Sequence, residues 1–212
     1  PGLFSRMART KSSASWMSRH LSDPFVKQAQ KDGYRSRSAY KLIELNEKDR
    51  LIRPGMRIMD LGSAPGGWSQ VAGKLVGGKG RVLATDILPM DALPNVDFIQ
   101  GDFTDDAIVQ QLLAWLDGGK FDLIISDIAP NITGISSADQ ASSVYFLELA
   151  LDTVRKTLKP GASFAAKLFQ GSGSDQYLKE LRTHFEKVLI RKPAASHKES
   201  REVYLVAKGF RQ

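Results

Sequence analysis

Cysteine is absent from all 212 residues, and histidine occurs only as His20, His184 and His197. Disulfides and thiolate metal sites are excluded, and no metal site is expected from so few ligands. No apolar run is long enough for a membrane span, and no signal-peptide pattern opens the chain. Two nucleotide motifs are missing too. The residue two after Gly62 is Ala64, so the dinucleotide pattern G-x-G-x-x-G is absent. Gly62 to Gly67 has the length of a Walker loop, but Trp68 stands where that loop needs lysine. A triphosphate would lack its main counter-charge there.

What is present is a strand, a glycine turn and a helix in immediate succession. Ile58-Met-Asp-Leu-Gly-Ser-Ala-Pro-Gly-Gly-Trp-Ser-Gln70 runs from an apolar strand through Asp60, Gly62, Pro65, Gly66 and Gly67 into a helical pattern. Glycines let backbone approach a ligand closely, and the helix N-terminus offers free N–H donors. The remaining pattern, D-x-G-x-x-x-G-G, resembles the first motif of S-adenosylmethionine-dependent methyltransferases. That cofactor carries a sulfonium, an amino acid and an adenosine, and no phosphate.

Charge is segregated along the chain. Residues 1–57 carry a balance of +8, residues 58–181 carry −6 and residues 182–212 carry +5, within a net +7. Basic ends around an acidic middle suit an enzyme that grips a polyanion, here nucleic acid, with its termini. Residues 1–22 are Ser-, Arg- and Lys-rich without periodicity and read as a flexible basic arm. Met7-Ala-Arg-Thr-Lys reads as a start, with Pro1 to Arg6 foreign to the fold. Residues 23–212 are expected to form one domain. Zero cysteines fit a cytoplasmic protein, and nothing in the sequence suggests an apolar dimer face, so a monomer is expected.

Asp23-Pro24 starts a short helix as N-cap and N1, ending near Gly33. The spacing of Ala39, Tyr40, Leu42, Ile43 and Leu45 predicts a second helix over Ser36–Asp49. Strands are predicted at Arg57–Leu61, Arg81–Thr85, Val96–Gln100, Phe121–Ser126, Ser163–Leu168, Phe185–Ile190 and Glu202–Ala207. Helices fall at Trp68–Leu75, Asp105–Leu116, Ala138–Leu158 and Ser174–Thr183, the third of them ended by Lys159-Pro160-Gly161. Such alternation predicts an α/β fold: a doubly wound, mostly parallel seven-stranded sheet with an N-terminal helical extension. The short link 191–201 suits an antiparallel last strand.

Ligands of such sheets lie beyond the carboxyl ends of the strands. Strand two ends in Asp86, placed to take ribose hydroxyls, and strand three in Asp102, placed to accept from an adenine amino group. Strand four ends in Ser126-Asp127-Ile-Ala-Pro130-Asn131. Strand five puts Lys167 inside the apolar run Ser163-Phe-Ala-Ala-Lys-Leu-Phe169. A lysine partly desolvated at the strand rim beside another cation can lose its proton, burial lowering its pKa by up to about 3–5 units.

Taken together, these stretches resemble the FtsJ/RrmJ family of ribose 2′-O-methyltransferases. The resemblance rests on Ser36-Arg-Ser-Ala-Tyr-Lys41-Leu, Asp60 through Gln70, Gly101-Asp-Phe, Ser126 through Asn131, Lys167-Leu-Phe-Gln-Gly171 and Ser200-Arg-Glu-Val-Tyr204. It implies a catalytic tetrad at Lys41, Asp127, Lys167 and Glu202, and S-adenosylmethionine contacts at Gly66, Trp68, Asp86, Asp102 and Asp127. It also implies a uridine ribose of large-subunit ribosomal RNA as substrate, in the assembled subunit. In that scheme Lys167 accepts the hydroxyl proton, Lys41 adds positive charge, and the two carboxylates orient them. The basic arm, Arg35, Arg37, Arg191, Lys192, Lys198 and Arg201 are expected to contact phosphates. Two alternatives stay open: a cofactor-holding RNA-binding factor, and an enzyme acting on cap or transfer-RNA ribose.

Overall fold

The computed structural model describes residues 22–129 and 136–212. Apart from Ser22, the expected basic arm lies outside the described residues, as do Pro130 and Asn131. The elements in chain order are α1 (Pro24–Asp32), α2 (Ala39–Asp49), β1 (Arg57–Leu61), α3 (Gly67–Val76), β2 (Arg81–Asp86), β3 (Val96–Gln100), α4 (Asp106–Leu116), β4 (Phe121–Ser126), α5 (Ser136–Thr157), β5 (Leu158–Phe169), α6 (Ser174–His184), β6 (Phe185–Arg191) and β7 (Glu202–Phe210).

All seven strands join one sheet in the order β3-β2-β1-β4-β5-β7-β6. Neighbours from β3 to β5 are parallel, whereas β7 enters antiparallel between β5 and β6. The predicted fold is therefore present, and its antiparallel strand sits inside the sheet. Two apolar layers follow from the period of 2 along each strand. Met59, Leu61, Ile124, Ala166, Leu168, Val203 and Leu205 pack in one layer, with α4, α5 and α6. Ile58, Ile125, Ala165, Tyr204 and Val206 pack in the other, with Leu42 and Leu45 of α2 and Trp68 and Val71 of α3.

Local chemistry sets most boundaries. The Asp23 carboxylate accepts from Phe25 N at 2.8 Å, and Gly33 closes α1 in the left-handed conformation. Helix α2 begins at Ala39 and not at Ser36. Residues 36–41 turn through i→i+3 bonds, with the Ser36 and Ser38 hydroxyls 2.5 Å apart. A second difference lies at Lys159-Pro160-Gly161. These residues end α5 as expected, but the chain continues as β5, pairing Leu158 with Phe121 and then Ser163 with Leu123. Residues 159–162 bulge out of the ladder, where Pro160 has no N–H to contribute.

Candidate active site

Parity along the strands gathers the polar groups. Asp60 shares the face of Ile58, Lys167 that of Ala165, and Glu202 and Tyr204 that of Val206, all beneath α2 and α3. Because β7 runs antiparallel to β5, its first residues reach the rim where β5 ends. Lys167 stands opposite Tyr204, and Phe169 opposite Glu202. Helix α2 lays Lys41 over the same place.

The result is a closed ionic cluster. Lys41 Nζ donates to Glu202 Oε1 at 2.6 Å. Lys167 Nζ donates to the Asp127 carbonyl at 3.1 Å and lies 3.1 Å from Asp127 Oδ1 and 3.8 Å from Glu202 Oε2. Both lysines are 8 % exposed and Glu202 9 %. Lys41 is thus no ordinary helix-surface lysine: its ammonium is buried and paired. The four predicted tetrad residues come together.

Two further members had not been singled out. The Tyr204 hydroxyl donates to Asp127 Oδ1 at 2.5 Å and lies 3.2 Å from Glu202 Oε1, so the phenol ties the two carboxylates together. Burial, with Asp127 and Glu202 beside it, pushes the Tyr204 phenol far up, which keeps it a neutral donor. Ser196 Oγ donates to Glu202 Oε1 at 3.0 Å. Tyr204 was visible as part of a matching stretch. Ser196 carries no sequence signal, because its place depends on the fold of the 191–201 link. Burial alone would raise Glu202, but the charges of Lys41 and Lys167 and the hydrogen bonds from Lys41 and Ser196 outweigh it and hold the carboxyl at about 2.

Beside this cluster, a cavity of about 180 Å³ opens between Ser36–Ser38 and the glycine turn, walled by Asp60, Ser63, Gly67, Trp68 and Asp127 among others. Gly62 has φ +70, and a Cβ there would lie 1.9 Å from Ile128 Cγ1; one on Gly67 would lie 2.3 Å from Ser36 Oγ. Bare backbone is required at Gly62, and at Gly67 a side chain would displace the Ser36 hydroxyl. The other expected contacts divide. Asp127 belongs to both cluster and cavity. Trp68 walls the cavity but its indole is core, donating to the Ser38 carbonyl at 2.9 Å and lying 5.6 Å from the Tyr204 ring. Gly66, with φ +116, faces Arg35, Met90 and Leu93 and is not part of the cavity wall. Asp86 accepts from Ala64 N and Leu88 N, both at 2.9 Å, so it braces the turn. Asp102 is exposed at the sheet edge, one oxygen accepting from Thr104 N and its hydroxyl.

The cavity walls fit an amino-acid-bearing cofactor. Asp60 Oδ1 and Ser63 Oγ are buried on those walls without a hydrogen-bond partner among the described residues, as is Thr85 Oγ1 on the neighbouring strand. A carboxyl and hydroxyls suit an ammonium and a carboxylate, and the turn provides no lysine for a phosphate. Asp60 is fully buried. Burial pushes its carboxyl up to about 7, the Ser69 hydrogen bond opposing and the negative Asp127 and Asp86 adding to the rise. From its ordinary 3.8 up to about 7, native Asp60 keeps a proton that the unfolded chain has released. Native stability should therefore fall as pH rises through that window. Urea unfolding at pH 4.5 and 8 should show wild type losing on the order of 3 kcal/mol relative to Asp60→Asn. A difference independent of pH would contradict this.

The expected phosphate-contacting cations are mostly engaged inside the protein, which corrects that expectation. Arg35 donates to the carbonyls of Pro65, Asp91 and Ala92. Arg37 holds Asp23 and the Ala195 carbonyl. Arg191 forks onto Asp49 with two bonds of 2.9 Å, and Lys192 donates to the carbonyls of Ser200 and Glu202. Lys192, Lys198 and Arg201 are the exposed members of the six.

A doubly wound sheet with a glycine turn, an acidic cavity and a Lys/Asp/Lys/Glu cluster at the strand ends defines an α/β enzyme of the methyltransferase type. The FtsJ-like methyltransferase model matches residues 34–210, and the chain belongs to that family. It is 69% identical over 205 residues to the ribosomal RNA large subunit methyltransferase E of Stutzerimonas stutzeri, covering 97% of this chain and 100% of that protein. The same-named protein of Marinobacter nauticus is 62% identical, covering 97% and 99%. Among solved structures, a ribosomal RNA methyltransferase from Plasmodium falciparum superposes with a TM-score of 0.77 at 33% identity, covering 84% of this chain and 98% of that one. No helix among the described residues is long and apolar enough to cross a membrane.

Proposed function

We propose that this methyltransferase takes its methyl group from S-adenosylmethionine and places it on the 2′-oxygen of a ribose, that of a uridine in large-subunit ribosomal RNA within the assembled subunit. It does so as a cytoplasmic monomer. The observation that carries the reading is the buried cluster of Lys41, Asp127, Lys167 and Glu202 beside the cavity of the glycine turn. The names of the relatives support the RNA as substrate.

When bound, the cofactor supplies a methyl group already activated on a cationic sulfur. A ribose hydroxyl, by contrast, is a poor nucleophile until its proton begins to leave. Lys167 takes that proton, having first released the ammonium proton with which it pairs Asp127 and Glu202. Lys41 steadies the negative charge that develops on the oxygen, acting in a site with little water, where charge interactions are strong. Asp127 and Glu202 hold the two lysines in place, and Tyr204 keeps the carboxylates in register. Asp60, Ser63 and the Gly67 end of α3 are the groups that would hold the amino-acid part of the cofactor. Asp86 and Asp102 would take the adenosine.

The test is to incubate the protein and labelled S-adenosylmethionine separately with large ribosomal subunits and with free ribosomal RNA, then map the label. Label on one ribose 2′-oxygen, with subunits preferred, is expected. Label on a base, or none on ribosomal RNA, would refute the assignment.

A further inference from the structure

The roomier cavity lies at the opposite end of the sheet from the tetrad. It measures about 620 Å³ and is lined by the end of α2, the 50–56 turn, the 159–162 bulge and the end of β7. Its charged walls are Lys48, Arg50, Arg53, Lys159 and Lys208 against only Asp49 and Asp122. Both acids are already engaged. Asp49 takes the Arg191 fork, and Asp122 Oδ2 accepts from Arg57 N at 2.9 Å while its Oδ1 lies 3.4 Å from Lys159 Nζ, a loose pair at the exposed rim. Lys208 is held mainly by the Asp49 carbonyl at 2.5 Å, its nearest contact with that carboxylate being 4.0 Å. Arg50 and Arg53 are exposed, and no side-chain ion pair or hydrogen bond joins either of them to another described residue.

The backbone adds a second observation. Three non-glycine residues among those described have positive φ: Arg50, Asn95 and Asp117. Asn and Asp tolerate the left-handed region, whereas arginine does so at a cost of about 1–2 kcal/mol. At the C-cap of α2, where glycine would sit without strain, a long cation faces this cavity instead. The β5 bulge likewise lifts Lys159 out of the ladder to the rim.

We propose that this back cavity is a second phosphate-binding site, where Arg50, Arg53, Lys159 and Lys208 hold the backbone of an RNA segment other than the one presenting the target ribose. It rests on the ribosomal-RNA reading above. Ser163 and Lys167 are separated by four residues of β5, roughly 13 Å of strand. The tetrad and the cavity thus face opposite ends of the sheet, and the RNA held at the cavity is taken to be a segment other than the one at the tetrad. A structured subunit provides such segments; a short oligonucleotide does not.

The experiment compares wild type with an Arg50→Gly, Arg53→Ala, Lys159→Ala variant. Glycine keeps the left-handed turn, and none of the three residues touches the tetrad or the cofactor cavity. Binding to large ribosomal subunits is measured over a salt series, with S-adenosylmethionine affinity by calorimetry as the folding control. The variant should bind subunits at least about tenfold more weakly, and its log–log salt slope should fall by about 2–3, one lost phosphate contact per cation. Cofactor affinity should not change. Because the chain has no cysteine, Arg53→Cys creates a single attachment point for a photo-crosslinker. Its crosslinks should map to a segment distinct from the methylated nucleotide. Equal affinity and slope in a wild type that binds subunits would overturn the proposal, as would crosslinks only at the target nucleotide. Inorganic phosphate bound by calorimetry with an unchanged RNA slope would make the cavity a small-anion site and overturn it too. A wild type that binds no ribosomal RNA would refute the substrate reading first, and this site with it.

Discussion

Lys167→Ala is expected to lower methyl transfer by about 10²–10⁴-fold while cofactor affinity stays within about twofold, the range a positioned proton acceptor contributes. The physical reason is the place of the side chain. Lys167 lies two residues from the end of a central strand and is 8 % exposed, with its amine 3.1 Å from both the carbonyl and the carboxylate of Asp127. It stands opposite Tyr204 on β7, whereas the carboxyl and hydroxyl assigned to the cofactor's amino-acid part belong to β1 and the turn after it. Removing the amine therefore takes away the acceptor and leaves those walls intact. Single-turnover transfer to subunits, with calorimetry for the cofactor, separates the two effects. Turnover near wild type would sink the base assignment, and a parallel loss of cofactor binding would show that Lys167 serves the cavity instead.

Glu202→Gln should destabilise the protein by about 3–5 kcal/mol at neutral pH, since it leaves Lys41 buried without its partner. Lys41 Nζ lies 2.6 Å from Glu202 Oε1, with both side chains largely out of water. The pH dependence carries a second signature. The Glu202 carboxyl falls from its ordinary 4.5 to about 2 in the folded protein. A depressed pKa gives stability that is complete above about 4.5 and is lost as pH falls through about 2. Wild type should lose that stability in acid, and the Gln variant should lack this part of the acid limb. Chemical unfolding from pH 2 to 8 tests both statements. Equal neutral stability would mean that Lys41 finds another partner or leaves the cluster. The Asp60 effect runs the opposite way, so of these two groups one favours pH above about 4.5 and the other pH below about 7.

Much of this protein was legible in the chain itself. Alternating strand and helix patterns fixed the α/β class because burial imposes a period of 2 on strands and 3.6 on helices. Asp23, Pro24 and Gly33 determined the limits of α1 through capping and backbone conformation, which are local. The tetrad could be named from matching stretches, and the same period places Asp60, Lys167 and Glu202 on one face once the pairing is known. Where local rules competed with contacts from elsewhere, the sequence was a poorer guide. Ser36 to Ser38 follows a helical pattern but turns under Gly67, whose bare Cα leaves 2.3 Å between a would-be Cβ and Ser36 Oγ.

Tertiary structure alone decided which charges are available for function. Arg35, Arg37 and Arg191 look like RNA-binding arginines in a basic sequence, yet each meets carbonyls or a carboxylate from distant residues. Charge counting cannot see this, because a guanidinium's partner is set by packing across distant stretches of chain, 142 positions for Arg191 to Asp49 and 158 for Arg37 to Ala195. The same holds for Tyr204 and Ser196, whose contacts depend on β7 entering beside β5. It holds equally for the back cavity, made from four separate stretches of chain. The sequence by itself determined the fold class and the glycine turn, because these depend on local pattern; the tetrad residues were named through a family resemblance. Strand order and side-chain pairing determined which of those groups are buried, joined or left open to a ligand.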